Sequence, residues 1–281
     1  MIHFKLVRYL ADRGYIRGGA RVMDVGTQNL LFVDEPSAID FVRQLRRAPL
    51  GEQDIKQIQR VCYFSTPRPG ERTAFLHELL AFTDVIYESI DIVDGLKTTI
   101  FDLNFDTAPR HWLKAFDLVI NCGTLEHVIH QYKALTFIHD ILKVKGIWFD
   151  QPPSVGFLNH GYFNYNPLFY MDLAAANEYE LVQAWYSHAG GYPMTDIRFP
   201  VIDMERLDEE SERAKIEAKP FAETAVRPPE QGASYNFNIV MKKTVDAPLR
   251  LPLEIRTTHG PLGAGARTNY GKSIFDSTSR K

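Results

Sequence analysis

The stretch that decides the fold is Phe116-Asp117-Leu118-Val119-Ile120-Asn121-Cys122-Gly123-Thr124-Leu125-Glu126-His127-Val128. Its first part, 116–121, is apolar and β-branched, which predicts a buried strand. A small polar turn follows, and the apolar spacing after it predicts a helix over 125–143. Ligands of parallel α/β sheets bind at the carboxyl ends of strands. The turn after this strand is therefore a candidate functional site.

Predicted strands alternate with predicted helices on both sides of this stretch. Further strands are predicted at 20–25, 85–92, 98–101, 146–150, 180–187 and 234–242. Helices are predicted at 2–17, 38–47, 52–63, 71–82 and 168–177. Strands that alternate with helices predict an α/β fold, with a mostly parallel sheet and helices on both faces.

The composition excludes several classes of protein. Of 281 residues, 45% are hydrophobic and 24% are charged, so a collagen-like or largely disordered chain is excluded. The formal net charge of -3 shows no excess of positive charge of the kind that nucleic-acid binding requires. Two cysteines, Cys62 and Cys122, cannot form a disulfide framework, which favours a cytoplasmic location. We predict no secretion signal and no membrane span, because the longest stretch without charged side chains, 151–171, contains three prolines.

Acidic residues follow three of the predicted strands. The first strand ends in Asp24-Val25-Gly26-Thr27-Gln28-Asn29, where a glycine turn lets a ligand approach the backbone, although an ordinary turn is the alternative. Leu31 takes the third glycine place of a dinucleotide motif, which disfavours a nicotinamide-dependent oxidoreductase. Asp91 could accept both hydroxyls of a ribose. Asp102 could read an adenine edge or serve as a turn or helix-capping aspartate.

Taken in chain order, these segments resemble class I S-adenosylmethionine-dependent methyltransferases. The resemblance covers about residues 20–185 and rests on the Asp24-Val25-Gly26 turn, Asp91, Asp102-Leu103, the segment 117–127 and the segment 142–146. The segment Asn159-His160-Gly161-Tyr162-Phe163-Asn164 is similar to that of small-molecule or sugar-type members. The resemblance implies a Rossmann-like methyltransferase sheet with an antiparallel C-terminal edge strand.

The resemblance also implies a cofactor, S-adenosylmethionine, and the residues around it. The methionine part would be bordered by Asp24, Gly26, Thr27 and Gln28. The ribose would meet Asp91, the adenine Asp102 and Leu103, and the sulfonium side Asn121 and Cys122. The implied activity is in-line methyl transfer to an O or N atom of a small-molecule or sugar-like biosynthetic intermediate.

Two features depart from the family pattern. Gln28 and Leu30 stand where the family's first turn continues Gly-x-Gly-x-Gly, starting at Gly26. The gap of 67 positions between Asp24 and Asp91 (91 − 24) predicts a helical insertion over about 38–82, which could cap the acceptor pocket. These departures keep open an alternative function, that of a catalytically inactive, methyltransferase-like binding or scaffold protein.

The acceptor is expected at the aromatic segment after the fifth strand. His160 is the candidate general base for a hydroxyl acceptor, since an unperturbed imidazole has a pKa of about 6.5; its alternative is a loop-shaping hydrogen bond. The candidate substrate-binding residues are Tyr162, Phe163, Asn164 and His127. A metal site on a shared helix face of Glu126, His127 and His130 is disfavoured, and we predict no metal.

The predicted organisation is one methyltransferase domain, 1–243, followed by an irregular C-terminal tail, 244–281. A charged helical excursion is expected over about 196–219. The expected partner is a small-molecule acceptor, without nucleic acid or membrane. The oligomeric state stays open, with a homodimer as one option.

Overall fold

The computed structural model describes residues 1–66, 68–94, 97–190, 202–204, 207, 234–254 and 269–271. Most of the predicted charged excursion, 196–219, and most of the tail, 244–281, lie outside these residues, so the predicted domain limits stay predictions. No helix within the described part of the chain is long and apolar enough to span a membrane.

Ten strands and six α-helices occur in the described residues. The strands are β1 (Ile2–His3), β2 (Arg21–Val25), β3 (Leu30–Leu31), β4 (Ile86–Asp91), β5 (Thr99–Ile100), β6 (Phe116–Asn121), β7 (Leu142–Asp150), β8 (Pro153–Val155), β9 (Glu180–Gly190) and β10 (Ser234–Lys242). The helices are α1 (Phe4–Asp12), α2 (Glu35–Leu45), α3 (Glu52–Phe64), α4 (Leu76–Leu80), α5 (Gln131–Ile141) and α6 (Pro167–Ala176). Short 3-10 turns lie at Arg110–Trp112 and Leu125–His127.

Eight strands form the main sheet. β5, β4, β2, β6 and β7 lie side by side and run parallel, and β10 pairs antiparallel with β7. The α/β fold class predicted from the sequence is confirmed, including the helices inserted between the first two strands of this sheet. One detail differs, because the antiparallel strand is not at the edge: β9 pairs along the whole of β10 on the side away from β7. Both faces of β10 carry buried side chains, because a hydrophobic core covers each face of the sheet.

Two hydrophobic cores cover the two faces of the sheet. Met23 and Trp148 face one core with side chains of α5 and α6. Val22 and Phe149 face the other with side chains of α1, α2, α3 and α4. Because neighbouring strand residues point to opposite faces, a one-residue slip would exchange the two sets, and the register is therefore fixed.

The predicted helix over 125–143 is wrong at both ends. Gln131 Nε2 donates hydrogen bonds to the carbonyls of Leu125 and Val128, and the Glu126 carbonyl accepts from the N–H groups of residues 162 and 163. These carbonyls are therefore not available to a continuous helix, and α5 begins only at Gln131. At the other end, residues 142–145 already belong to β7.

Candidate active site

The carboxyl ends of β2, β4, β6 and β7 lie level with one another. Val25 pairs with Ile90 on one side and with Asn121 on the other, and Asn121 pairs with Asp150. The sheet therefore brings the predicted residues Asp24, Asp91 and Asn121 to one edge.

Asp24 is fully buried at the end of β2. Its Oδ2 accepts hydrogen bonds from the Tyr87 hydroxyl, at 2.5 Å, and from the Gln28 N–H, at 3.3 Å. Burial raises the pKa of Asp24 to about 7. The carboxyl is therefore close to its titration point at neutral pH, and a cation beside it would favour the charged form.

Three buried polar atoms of this turn have no hydrogen-bond partner among the described residues. They are Asp24 Oδ1, Thr27 Oγ1 and Gln28 Oε1. Leaving a buried polar atom unpaired costs about 1–3 kcal/mol, so native proteins pair most of them. Three such atoms within five consecutive residues indicate a place where a polar ligand binds.

Gly26 brings the first turn against the turn after β6. Its φ is +87°, and a Cβ at this position would lie 2.0 Å from Thr124 Oγ1. The residue must therefore be glycine for a packing reason, since Thr124 fills the space beside it. Its predicted contact with a cofactor stays a prediction.

The chain after Gln28 does not enter a helix. Leu30 is fully buried and lies in β3, which pairs parallel with β1. The Leu30 N–H donates to the carbonyl of Ala74, and the Leu76 N–H donates to that of Gln28. Leu30, which stands at the third glycine of the family pattern, is thus a core residue held by the end of the helical insertion.

Asp91 joins two turns. Its Oδ2 accepts the N–H of Thr27 and its Oδ1 accepts the N–H of Val93, each at 3.1 Å. A carboxylate oxygen can accept more than one hydrogen bond, so the group keeps capacity for a ligand. Asp91 lies at the end of β4, and its ribose role stays a prediction.

Asp102 lies in the turn that the sequence left open as an alternative. Its Oδ1 accepts the Asn104 N–H at 2.8 Å, and its own N–H donates to Asp106 Oδ2 at 2.7 Å. Leu103 is buried in the core. The contacts of Asp102 thus lie within its own turn, and the adenine roles of both residues stay predictions.

Asn121 and Cys122 point into the protein. Asn121 Nδ2 donates to Asp150 Oδ1 at 2.5 Å, and the Asn121 carbonyl accepts the N–H of Gln151. Cys122 is buried, and burial raises the pKa of its thiol. Asp150 also accepts a hydrogen bond from the Tyr170 hydroxyl, and burial raises its pKa to about 8. Sequence reasoning missed Asp150, although an acidic residue at the end of an apolar strand was the available signal.

Glu126 forms a cluster with two histidines. It is fully buried, and neither carboxylate oxygen has a hydrogen-bond partner among the described residues. Its Oε1 lies 3.3 Å from His160 Nε2 and 3.8 Å from His127 Nε2. Burial raises the pKa of Glu126. The side chains of His127 and His160 are 50% and 46% exposed, so the cluster is open to solvent on one side.

Backbone hydrogen bonds hold the loop that carries His160. The N–H groups of Tyr162 and Phe163 both donate to the Glu126 carbonyl, at 2.8 and 3.2 Å. Gly161 packs on the Glu126 side chain, since a Cβ there would lie 2.8 Å from Glu126 Cγ. The position of His160 relative to Glu126 is thus set by contacts on both sides of it.

The predicted acceptor residues fall into two groups. Tyr162 is 71% exposed, and Asn164 is exposed with its Nδ2 donating to the Phe157 carbonyl. Phe163 packs against the hydrophobic core that contains Met23 and Trp148. His130 lies outside the cluster, because its N–H donates to Asn104 Oδ1 at the start of α5. Residues 162 and 164 therefore lie exposed beside the partly buried Phe163, and the acceptor role of these residues stays a prediction.

A cavity of about 350 Å³ lies elsewhere, near the amino end of β6. It is lined by Arg13, Gly14, Tyr15, Arg17, Asp117, Lys145, Ile147, Glu180, Val182 and Lys242. Ion pairs join Arg17 to Asp117 and Lys242 to Glu180. None of the predicted site residues lines this cavity.

No protein-family model matches the sequence, and no curated protein matches it significantly. Among solved structures, the chain is similar to a SAM dependent methyltransferase from Archaeoglobus fulgidus, at 12% identity over 85% of this chain and 93% of that chain, with a TM-score of 0.44. It is also similar to 1,6-didemethyltoxoflavin-N1-methyltransferase from Burkholderia thailandensis, at 11% identity over 86% and 77%, with a TM-score of 0.40. Both are methyltransferases.

Proposed function

We propose that this protein transfers a methyl group from S-adenosylmethionine to an O or N atom of a small-molecule or sugar-like acceptor. The observation that supports it most is the set of unpartnered atoms at Asp24, Thr27 and Gln28. The methionine part of the cofactor carries an ammonium group and a carboxylate. The ammonium would donate to the Asp24 and Gln28 oxygens, and the carboxylate would accept the Thr27 hydroxyl.

Asp91 would hold the ribose hydroxyls at the neighbouring strand end. The Thr27 N–H already fixes this carboxylate, so the methionine and ribose contacts are coupled through one turn. When bound, the cofactor supplies an electrophilic methyl group on a sulfonium. Asp24 and Asp91 contribute negative charge beside that cation.

The protein's main contribution would be alignment. Holding two reactants in line can be worth effective molarities of about 10⁵ M or more, so no protein nucleophile is needed. The acceptor would approach from the side of His160, Tyr162 and Asn164. The general-base role of His160, the biosynthetic role and the cytoplasmic location stay predictions.

Calorimetry with S-adenosylmethionine and with S-adenosylhomocysteine tests the proposal. We expect Asp91→Ala to weaken binding at least tenfold, because hydrogen bonds to a charged group are worth about 1.5–3 kcal/mol each. Asp94→Ala, an exposed acid three residues later, is the matched control and is expected to bind normally.

Two results would count against methyl transfer. If neither compound binds to the folded wild-type protein, the proposed cofactor is wrong. If both bind but no acceptor is methylated, the inactive binding or scaffold function that the sequence left open is favoured instead.

A further inference from the structure

Glu126, His127 and His160 each present one ligand atom, and these three atoms lie within 4.8 Å of one another. Two imidazole nitrogens and one carboxylate, with positions left open, are a ligand set typical of Mn²⁺, Fe²⁺, Co²⁺ and Zn²⁺. Mg²⁺ and Ca²⁺ prefer oxygen ligands throughout. The residue types therefore select the class of metal.

A second observation concerns the Glu126 carboxylate. It is fully buried and accepts no hydrogen bond from any described residue. Within the described part of the chain, its ion-pair contacts are with the two histidines, and no Lys or Arg contact occurs. A buried carboxylate that accepts no hydrogen bond is costly, and a cation held between it and the two imidazoles would remove that cost.

From these two observations, we infer that Glu126, His127 and His160 bind a divalent transition-metal ion. Ligand atoms of a tetrahedral site with metal–ligand distances of about 2.0–2.1 Å lie about 3.3 Å apart. Glu126 Oε1 and His160 Nε2 already have this separation, at 3.3 Å. His127 Nε2 lies 3.8 Å from the same oxygen, about half an ångström beyond this separation, and all three ligand atoms lie within 4.8 Å of one another.

The surroundings keep the carboxylate in place. Gly123 and Gly161 pack on the Glu126 side chain from two sides, because a Cβ at residue 123 would lie 3.2 Å from its Oε1 and one at residue 161 would lie 2.8 Å from its Cγ. The backbone hydrogen bonds from Tyr162 and Phe163 to residue 126 fix the second histidine. The ligand set is thus largely preorganised before metal binding.

The role of the metal rests on the proposed function. Three protein ligands leave at least one position open, which is typical of catalytic rather than structural sites. The open side is the solvent-facing side of the two histidines, where the acceptor is expected. A hydroxyl that binds a metal ion loses its proton far more easily, as metal-bound water does, with a pKa of about 7.

With this arrangement, the acceptor proton passes to solvent water. The acceptor oxygen then forms its bond to the methyl carbon as the bond between that carbon and the sulfonium sulfur breaks. His160 serves as a metal ligand in this step, in place of the base role that the sequence suggested.

Metal titration of the metal-free protein tests the inference. Co²⁺ binding is followed by visible absorption and Zn²⁺ binding by calorimetry, both without cofactor. We expect one ion per chain at this site, and at least a tenfold loss of Zn²⁺ affinity in His127→Ala, in His160→Ala and in Glu126→Gln. The histidine variants are expected to fold, since both side chains are half-exposed. His130→Ala, an exposed histidine outside the cluster, is the matched control and is expected to bind like wild type.

The inference is overturned if wild-type protein binds neither ion, or if His127→Ala and His160→Ala bind Zn²⁺ as wild type does. An equal loss in His130→Ala also overturns it. S-adenosylhomocysteine calorimetry on the same samples separates the two proposals. If the wild-type protein binds S-adenosylhomocysteine but neither metal ion, the metal site alone is removed. If it binds metal but not S-adenosylhomocysteine, the site is supported and the methyltransferase proposal is removed.

Discussion

Replacing Gly26 by alanine tests how closely the two turns at the carboxyl edge pack. A Cβ at residue 26 would lie 2.0 Å from Thr124 Oγ1, 3.1 Å from Thr124 Cβ and 3.3 Å from Thr124 Cγ2. Rotation of the threonine side chain could move Oγ1 away but would leave its Cβ, at 3.1 Å, closer than an ordinary van der Waals contact. Gly14 offers a matched control, since its φ is +73° and no other atom lies within 4 Å of a Cβ there.

Both substitutions strain the backbone, but only Gly26→Ala also overpacks the structure. An alanine in the left-handed region costs about 1–2 kcal/mol, and this applies at both positions. Overpacking adds about 1–3 kcal/mol, and this applies only at Gly26. We therefore expect the free energy of unfolding to fall by about 1–2 kcal/mol in Gly14→Ala and by about 2–5 kcal/mol in Gly26→Ala.

Urea unfolding of four variants separates the two costs. Besides the two glycine variants, the set contains Thr124→Ala and the double variant Gly26→Ala/Thr124→Ala. The double variant is expected to recover the overpacking cost of about 1–3 kcal/mol but not the backbone cost. If Gly26→Ala is no less stable than Gly14→Ala, or if removal of the Thr124 side chain recovers nothing, the two turns do not pack as described.

Other predictions concern a buried carboxyl and the start of the C-terminal segment. Because the pKa of Asp24 is about 7 in the folded protein and about 3.9 when unfolded, the folded state binds the proton more tightly, so stability falls as pH rises from about 4 to 7, by at most roughly 4 kcal/mol. Asp24→Asn is expected to flatten this slope in unfolding experiments across that range, and an unchanged slope would refute the assignment. Asn177→Ala removes hydrogen bonds to the N–H and carbonyl of Arg250, and a loss of about 1–3 kcal/mol with faster proteolysis within 244–254 is expected. Asp246→Ala breaks only an exposed ion pair with Lys114, so proteolysis at the wild-type rate is expected, and faster cleavage would show that the pair holds the segment.

The sheet was the more predictable part of the fold. The strand predicted at 116–121 and that at 234–242 have these same limits in the structure, because the first is a mostly apolar run that ends at a turn and the second alternates polar with apolar residues. β1 and β3 were missed, because two residues show no periodicity. They form through the pairing of Ile2 with Leu30, a tertiary contact that no local pattern records.

The candidate site was predictable where the sheet itself decides the position. Asp24 and Asp91 end neighbouring parallel strands, so their proximity follows from the strand order. The hydrogen-bond partners of the site's side chains could not be predicted from the strand order. Asp102 bonds within its own turn, and the side chain of Asn121 faces Asp150, because these bonds depend on loop conformations that the spacing of residues does not determine.

The late start of α5 is what allows the Glu126 cluster to form. A helix running through 125–143 would place His127 and His130 on one face and would bond the Glu126 carbonyl to the N–H of residue 130. Instead, that N–H donates to Asn104 Oδ1, and the free carbonyl accepts the N–H groups of Tyr162 and Phe163. The loop can dock there only because the helix has not yet begun. Beside its neighbour His127, the histidine that reaches Glu126 is therefore His160, 34 positions away in sequence (160 − 126), and not His130, which lies four residues along a helix that does not form.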